Sequence, residues 1–254
     1  MVPSHSSNHS NFIMAKKKTL NSIDLLQFRT KTATHKNVQV KLNILIVCEG
    51  EKTEPLYFKN FNNIVMGNWI YTIDCKGGRM NTVQVVKKAI ELRNKAKEAN
   101  KPYDSVWAVF DKDDFPDKDF NDAIRLAENN DIGCAWSNEA FELWYVLHFE
   151  NRTSQTGRND YKSLINKHIN KAKPKGEKQY EYEKNDGNIG NLLQKYGNEE
   201  KAIDYAEALD KSYVDNAYSR HNPCTTVYKL VKMLRGKDKK FIDKLKKDMN
   251  KKTF

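Results

Sequence analysis

The sequence predicts an α/β protein, in which a four-stranded parallel sheet flanked by helices is followed by a mainly helical C-terminal region. Short apolar runs rich in β-branched and aromatic residues alternate with amphipathic helical patterns up to residue 150. This order is typical of parallel strands joined by crossover helices. Beyond Glu150 the strand signals fade, and helical periodicity continues toward the end of the chain.

The predicted strands are apolar runs that stop abruptly at polar residues: Leu42–Cys48, Trp69–Cys75, Ser105–Phe110 and Ile132–Trp136. The helices predicted around them are Thr53–Val65, a helix capped by Asn81 that runs to about Asn100, Asp117–Asn129 and Asn138–Phe149. In the C-terminal part we expect helices over residues 161–171, 186–196, 199–212, 223–236 and 238–250, and a mobile basic loop over residues 172–184.

The chain divides into three predicted parts: a basic, flexible tail over residues 1–40, an α/β core over residues 41–150 and a basic helical region over residues 151–254. The net charge of +11 follows this division. Residues 1–41 have 7 Lys/Arg against 1 Asp/Glu, residues 42–150 have 13 against 18, and residues 151–254 have 24 against 14. Basic segments on both sides of an acidic middle favour a polyanionic partner, although a solvated lysine-rich surface explains the charge equally well.

Composition argues against a membrane protein and a disulfide-bonded one. Mean hydropathy is −0.81, and the longest apolar run is far shorter than the roughly 20 residues that span a bilayer. We recognise no secretion signal, so we expect a cytoplasmic protein without a membrane partner. The cysteines form no C-x-x-C pair and have no histidine at zinc spacing, which favours reduced core thiols at Cys48, Cys75, Cys134 and Cys224.

Acidic clusters follow two of the predicted strands: Glu49, Glu51 and Glu54 after the first, and Asp111, Asp113 and Asp114 after the third. If the strand order is 2-1-3-4, Glu49, Asp111 and Asp113 converge at the carboxyl edge of the sheet. Alternation along an extended segment would place Asp111 and Asp113 on one side and turn Lys112 away. Converging carboxylates favour Mg²⁺ or Mn²⁺ and, in a basic protein, phosphodiester chemistry on nucleic acid.

These clusters also have other interpretations. Asp111–Asp114 is also consistent with an Asx-type turn that caps the next helix, with Glu49 and Glu51 on the surface. Gly50–Thr53 resembles the end of a phosphate-binding P-loop, but Ile46 stands where the earlier glycine belongs. Asp111–Asp113 also matches the D-x-D of haloacid-dehalogenase-type phosphatases, a motif that belongs on the first strand and here follows the third.

The clusters resemble a Toprim domain, the metal-dependent phosphoryl-transfer module of topoisomerases, bacterial primases and OLD-type nucleases. Val47–Gly50 with Glu54 resembles its first motif, and Asp111–Asp113 resembles its Asp-x-Asp motif. More closely, the chain resembles the RloB-like family of bacterial defence-associated proteins, over roughly residues 40–235. The segments that carry this resemblance are Ile46–Phe58, Val109–Phe115, Ala135–Trp144 and Asn222–Val227.

The resemblance implies a Toprim-like fold, a Mg²⁺ or Mn²⁺ cofactor, nuclease activity and a role in abortive infection. It also implies an ATPase or a restriction-modification protein as a further partner. No strand-gating domain with a nucleophilic tyrosine fits in the remaining chain, so a topoisomerase is not expected.

Further site residues are predicted from their surroundings. Glu142 lies in an apolar helical segment, where an ionised carboxylate is costly unless it is paired or metal-bound, and Glu139 lies one turn earlier on the same face. We expect both to support the metal held by Glu49, Asp111 and Asp113, with a buried ion pair as the alternative for Glu142. Lys52 would steady the leaving oxyanion, unless it simply pairs with a neighbouring glutamate.

Nucleic-acid contacts are assigned to basic residues near these motifs: Arg79, Lys112, Arg220 and His221. Tyr180 and Tyr182 among lysines could stack on bases, although a disordered loop is the alternative. The sequence therefore predicts a Mg²⁺-dependent endonuclease acting on DNA or RNA, such as tRNA. The alternative is a non-catalytic nucleic-acid-binding or regulatory subunit of a defence complex.

Overall fold

The computed structural model describes residues 40–61, 65–66 and 69–251, so the predicted N-terminal tail lies outside the described residues. The described part contains a six-stranded sheet with the order β2-β3-β1-β4-β5-β6. Its strands are β1 (Val40–Cys48), β2 (Val65–Met66), β3 (Trp69–Gly77), β4 (Ser105–Asp111), β5 (Gly133–Asn138) and β6 (Cys224–Thr225). The four long strands are parallel, and the two short edge strands are antiparallel to their neighbours. The predicted α/β class is confirmed, with six strands in the described sheet instead of four.

Helices cover both faces of this sheet. They are α1 (Thr53–Lys59), α2 (Thr82–Glu98), α3 (Asp117–Glu128), α4 (Glu142–Leu147), α5 (Asp160–Ala172), α6 (Ile189–Tyr196), α7 (Glu199–Ser212), α8 (Val227–Leu234) and α9 (Lys239–Lys251). The central strand β1 divides its side chains between two cores: Ile44 and Ile46 pack with α1, α4 and the C-terminal helices, whereas Leu45 and Val47 pack with α2 and α3. Because both faces are buried, β1 is apolar along most of its length.

Three observed helices are shorter than predicted, because residues at one end of each predicted helix form strands instead. Val65, predicted as the end of the first helix, pairs with Ile70 in the short strand β2. Asn138, predicted to begin a helix, extends β5 and pairs with Cys224 of β6, so α4 begins only at Glu142. The same pairing delays α8 to Val227. Intrinsic helix propensity is weak, and pairing with another strand outweighs it at these positions.

The C-terminal region is built into the same body as the sheet. It contributes β6 to the sheet edge, and α5 to α8 share a hydrophobic core with β1. The Tyr71 hydroxyl on β3 donates a hydrogen bond of 3.0 Å to the carbonyl of Met233 on α8. The expectation of a mainly helical region is therefore correct but omitted its strand.

The loop predicted to be mobile is held to α5 by hydrogen bonds. The backbone amides of Tyr180 and Tyr182 each donate to an asparagine side chain of α5, Asn170 and Asn166 respectively, at 2.6 Å. Tyr182 is 3% exposed and belongs to the core. The interpretation of Tyr182 as a base-stacking residue is therefore wrong, because its ring is buried in the protein.

The four cysteines are free, as predicted. Cys48 and Cys224 are buried, and Cys75 lies beside Cys48 with 3.7 Å between their sulfur atoms. Within the part of the chain that the structure describes, no helix has the length and apolarity needed to cross a bilayer.

Candidate functional site

A cavity of about 580 Å³ opens where β1 and β4 end, at the carboxyl edge of the parallel strands. Six acidic residues line it: Glu51 and Glu183 are exposed, whereas Glu49, Glu54, Asp111 and Glu142 are buried or half-buried. We call this site the carboxylate pocket. Neighbouring strands bring Glu49 and Asp111 together, because β1 and β4 pair directly and Cys48 lies opposite Val109. The predicted convergence of these two residues is therefore observed.

Asp111 lies at the centre of the pocket and is 8% exposed. Its backbone amide donates to Glu49 Oε2 at 3.1 Å, and its own Oδ2 accepts from the amide of Phe141 at 3.0 Å. The second carboxylate oxygen, Oδ1, is buried and has no hydrogen-bond partner. A buried carboxylate oxygen without a partner is costly and indicates a missing ligand or water.

Glu54 is held in the pocket by the first turn of α1. It is 5% exposed, and its carboxylate accepts backbone hydrogen bonds from its own residue and from Gly50. A Cβ atom at Gly50 would lie 2.5 Å from Glu54 Oε2. A side chain at Gly50 would therefore displace the Glu54 carboxylate from its position in the pocket.

Glu142 enters the pocket from the first turn of α4 and is 5% exposed. The buried Tyr182 hydroxyl donates to its Oε1 at 2.9 Å. This bond fixes the position of the carboxylate and leaves its other oxygen available. The prediction that Glu142 belongs to the site agrees with this placement, since it makes no ion pair among the described residues.

Burial and mutual repulsion raise the pKa values of Glu49, Asp111 and Glu54. Desolvation raises the pKa of Glu49 to about 7, with a further contribution from Glu54 and opposing contributions from the Asp111 amide and Arg158. The pKa of Asp111 lies well above its usual value because of burial and the charges of Glu54, Glu142 and Glu49. Burial also raises the pKa of Glu54. A bound cation would favour the ionised forms, because it offsets both causes.

The donor set suits a hard divalent cation. Carboxylate oxygens are the ligands that Mg²⁺ and Mn²⁺ prefer. Asp111 Oδ1 has no hydrogen-bond partner, so its lone pairs are available to coordinate a cation. Among residues 40–61, 65–66 and 69–251, however, no three acidic, histidine or cysteine side chains are arranged as a ready-made metal cage. For several of these carboxylates to coordinate one cation jointly, they would therefore have to move closer to one another.

Two predicted ligands, Asp113 and Glu139, do not line the pocket. Strand β4 ends at Asp111, and Asp113 has a φ of +40°, so the alternation expected for an extended segment is broken. The Asp113 carboxylate instead pairs with Arg158. Glu139 accepts from the Arg158 amide at 3.2 Å and from the Asn222 side chain at 3.4 Å. Both acids thus position the loop that carries Arg158.

The basic residues predicted to contact nucleic acid separate into two groups. Arg79 is exposed, lines the pocket and lies 3.7 Å from Glu51. Lys52, which was predicted to steady the leaving oxyanion, is also exposed and lines the pocket. Lys112 is only 13% exposed in its side chain and donates to the carbonyl of Phe115 at 2.6 Å. It also pairs with Asp117 at the start of α3, so its prediction as a nucleic-acid contact is not supported by its position.

Arg220 and His221 lie away from the pocket lining. Arg220 is exposed and lies 4.0 Å from Asp215. His221 is 4% exposed, stacks on Tyr213 with 4.3 Å between ring centroids and bonds Asp215 at 2.9 Å. The prediction that His221 touches substrate is wrong, because its ring is buried between these partners. His148 is likewise a buried core residue, and burial lowers its pKa to about 4.

Sequence reasoning missed three contributors to the pocket. Glu54 was used only as part of a motif, although its position in the first turn of α1, just after Glu49, was a usable signal. Arg158 and Lys184 also line the pocket, and both come from segments far along the chain. Lys184 is held there by its carbonyl, which accepts from the Thr53 hydroxyl at 2.6 Å. No local pattern marks either cation.

A family model described as RloB-like protein matches residues 44–234. The match begins within β1, ends with α8 and includes every residue of the carboxylate pocket. No match was found among curated proteins or among solved structures.

Proposed function

Since the chain belongs to the RloB-like family, we propose that it is a Mg²⁺- or Mn²⁺-dependent endonuclease of the Toprim type, acting in prokaryotic antiviral defence. The observation that carries the proposed activity is the unpartnered Oδ1 of Asp111, buried among three further carboxylates in an open pocket. Such a site disfavours its own ionised form and is stabilised by a divalent cation. The defence role depends on the family resemblance alone.

In this proposal the metal is held by Glu49, Asp111, Glu54 and Glu142. Bound there, Mg²⁺ would activate water and neutralise charge on the phosphodiester. Tyr182 orients Glu142 through its hydroxyl, and the Phe141 amide orients Asp111. Lys184 at the rim binds the phosphate and holds it over the carboxylates. Arg158, which is paired with Asp113, adds positive charge to the same lining.

The test is a cleavage assay with duplex DNA, single-stranded DNA and total tRNA, each with Mg²⁺, with Mn²⁺ and with EDTA. We expect cleavage of at least one substrate that requires the metal and is lost in Asp111→Asn. Cleavage that persists in EDTA, or an active Asp111→Asn protein with unchanged metal dependence, would contradict the proposal.

The excess of Lys and Arg over residues 151–254 supports a second candidate, a nucleic-acid-binding subunit without catalysis. One experimental result distinguishes the two candidate functions. If the protein binds nucleic acid at low salt but never cleaves it with any divalent metal, the binding function replaces the endonuclease.

A further inference from the structure

A second cavity adjoins the carboxylate pocket, and the two share part of their lining. It measures about 220 Å³ and shares Glu142, Arg158, Glu183 and Lys184 with the pocket. Its remaining lining residues come from the start of α5 and from the loop before α6: Asn159, Tyr161, Lys162 and Tyr182. We call this cavity the side chamber. It lies beside the place where the proposed reaction would hold a phosphate.

The side chamber contains an unused polar group. Tyr161 is 1% exposed, and its hydroxyl has no hydrogen-bond partner. The neighbouring Tyr182 hydroxyl donates to Glu142, so of the two tyrosines that line the chamber only Tyr161 has a hydroxyl without a partner. A buried hydroxyl without a partner is costly, and because Tyr161 lines the chamber, a bound ligand is placed to supply the partner.

The charges around the chamber are suited to the phosphate end of a nucleotide. Lys162 is already paired with Glu181 and Glu183, and Arg158 with Asp113. Lys184 is exposed and makes no ion pair among the described residues. Its ammonium group is therefore available to a phosphate at the boundary between the chamber and the carboxylate pocket.

The size of the chamber restricts what can enter. A volume of about 220 Å³ accommodates one base with its sugar but not a base pair. Enzymes that place a nucleotide in such a space must take it out of a duplex or act on an unpaired strand. A polar lining with an unpaired cation at the entrance suits a single nucleotide, because it offers hydrogen bonds to the base and sugar and a positive charge to the phosphate.

Building on the proposed function, we infer that the side chamber receives the base and sugar of an unpaired nucleotide whose phosphate lies in the carboxylate pocket. The Tyr161 hydroxyl hydrogen-bonds this nucleotide, and Lys184 contacts its phosphate. The substrate class is therefore single-stranded or looped nucleic acid, and duplex is a poor substrate.

The experiment compares Tyr161→Phe with Tyr145→Phe. Tyr145 is a matched control because it is also fully buried with an unpartnered hydroxyl but lines neither cavity. Both variants should fold with unchanged or slightly raised melting temperature, since each loses an unsatisfied hydroxyl. We expect Tyr161→Phe to lower kcat/KM on single strands by about 3- to 10-fold, the value of one neutral hydrogen bond, and Tyr145→Phe to match the wild type.

A second pair of variants tests the phosphate contact. Lys184→Ala should weaken binding of a fluorescently labelled single strand and reduce its salt dependence by about one phosphate contact. Lys175→Ala, an exposed change in the same loop outside both cavities, should not. Ribose and deoxyribose strands of one sequence, each alone and annealed into a duplex, show which sugar the chamber accepts.

The outcomes separate the inference from the proposed function. Cleavage of duplex and single strand at equal rates, or equal strand binding and cleavage by Tyr161→Phe and the wild type, overturns the inference and leaves the endonuclease proposal standing. If the wild type cleaves nothing, the endonuclease proposal fails. In that case weaker strand binding by Tyr161→Phe than by Tyr145→Phe still supports the chamber, and equal binding overturns it.

Discussion

Among single residues, Asp111 carries an evident electrostatic cost in the proposed site. Its carboxylate is buried, one oxygen is unpartnered, and three other acids raise its pKa. Asp111→Asn keeps an acceptor for the Phe141 amide but removes the charge. We expect cleavage to fall at least about 100-fold, and metal-free stability to stay unchanged or rise by about 1 kcal/mol. Thermal melts with and without Mg²⁺ should show that the stabilisation by metal is lost.

Asp113→Asn is the matched control for this prediction. Asp113 pairs with Arg158 outside the pocket lining, so its loss should cost no more than about 1 kcal/mol, as for other partly exposed ion pairs. The Mg²⁺-induced rise in melting temperature should remain. If Asp113→Asn abolished that rise and Asp111→Asn did not, the assignment of the metal ligands would be wrong.

Glu49 gives the metal-free protein a characteristic dependence on pH. Its pKa is raised from an ordinary value of 4.5 to about 7, so between these values the folded state binds a proton that the unfolded state has lost. Stability therefore falls as the pH rises from about 4.5 to about 7. Stabilisation by Mg²⁺ should change in the opposite direction, because the metal binds the ionised carboxylate.

Melting temperatures at intervals between pH 5 and pH 8, with Mg²⁺ and with EDTA, measure both effects. Glu49→Gln cannot ionise, so it should flatten the metal-free curve over this range. A Glu49→Gln protein with the same pH profile as the wild type would show that the group responsible lies elsewhere, with Asp111 and Glu54 as the next candidates.

At the scale of secondary-structure elements, the end of β3 supports the turn that carries Glu49. A Cβ atom added to Gly77 would collide with the carbonyl oxygen of Gly50 and would lie 2.9 Å from the Cα of Glu51. These are backbone atoms that cannot move without shifting the acidic turn. We expect Gly77→Ala to destabilise the protein by about 1–3 kcal/mol and to weaken its stabilisation by Mg²⁺.

Gly78→Ala is the control for this element. The nearest atom to a Cβ at Gly78 is the end of the flexible Met80 side chain, at 3.1 Å, which can move aside. Urea titrations of both variants should show a clear loss of stability only for Gly77→Ala. Equal losses would indicate that the glycines matter for the loop itself and not for contact with the turn.

At the scale of the whole molecule, the sheet and the C-terminal helices should unfold together. One hydrophobic core includes Ile44 and Ile46 of β1 together with residues of α5 to α8, and β6 completes the sheet edge. Residues 41–150 and 151–254, predicted as separate parts, should therefore not appear as separate unfolding units. In urea, far-UV circular dichroism and tryptophan fluorescence should give coincident single transitions, whereas two separated transitions would contradict this expectation.

Local patterns in the sequence determined the α/β class, the four long strands and the pairing of Glu49 with Asp111 at one edge. Each follows from short-range physics: apolar runs mark strands buried on both faces, and carboxylates at the ends of neighbouring parallel strands meet. The placement of Glu142 could also be predicted, since an acid within so apolar a helix needs a partner.

Only the tertiary structure decided which acids share the pocket and which cations surround it. The turn after Asp111 sends Asp113 to Arg158, which lies more than forty residues later in the chain. Lys184, Tyr161 and Tyr182 reach the site only because the C-terminal region packs against the carboxyl edge of the sheet. Contacts between distant segments depend on the global packing of the chain and leave no periodic signal in the local sequence, so pattern analysis could not find them.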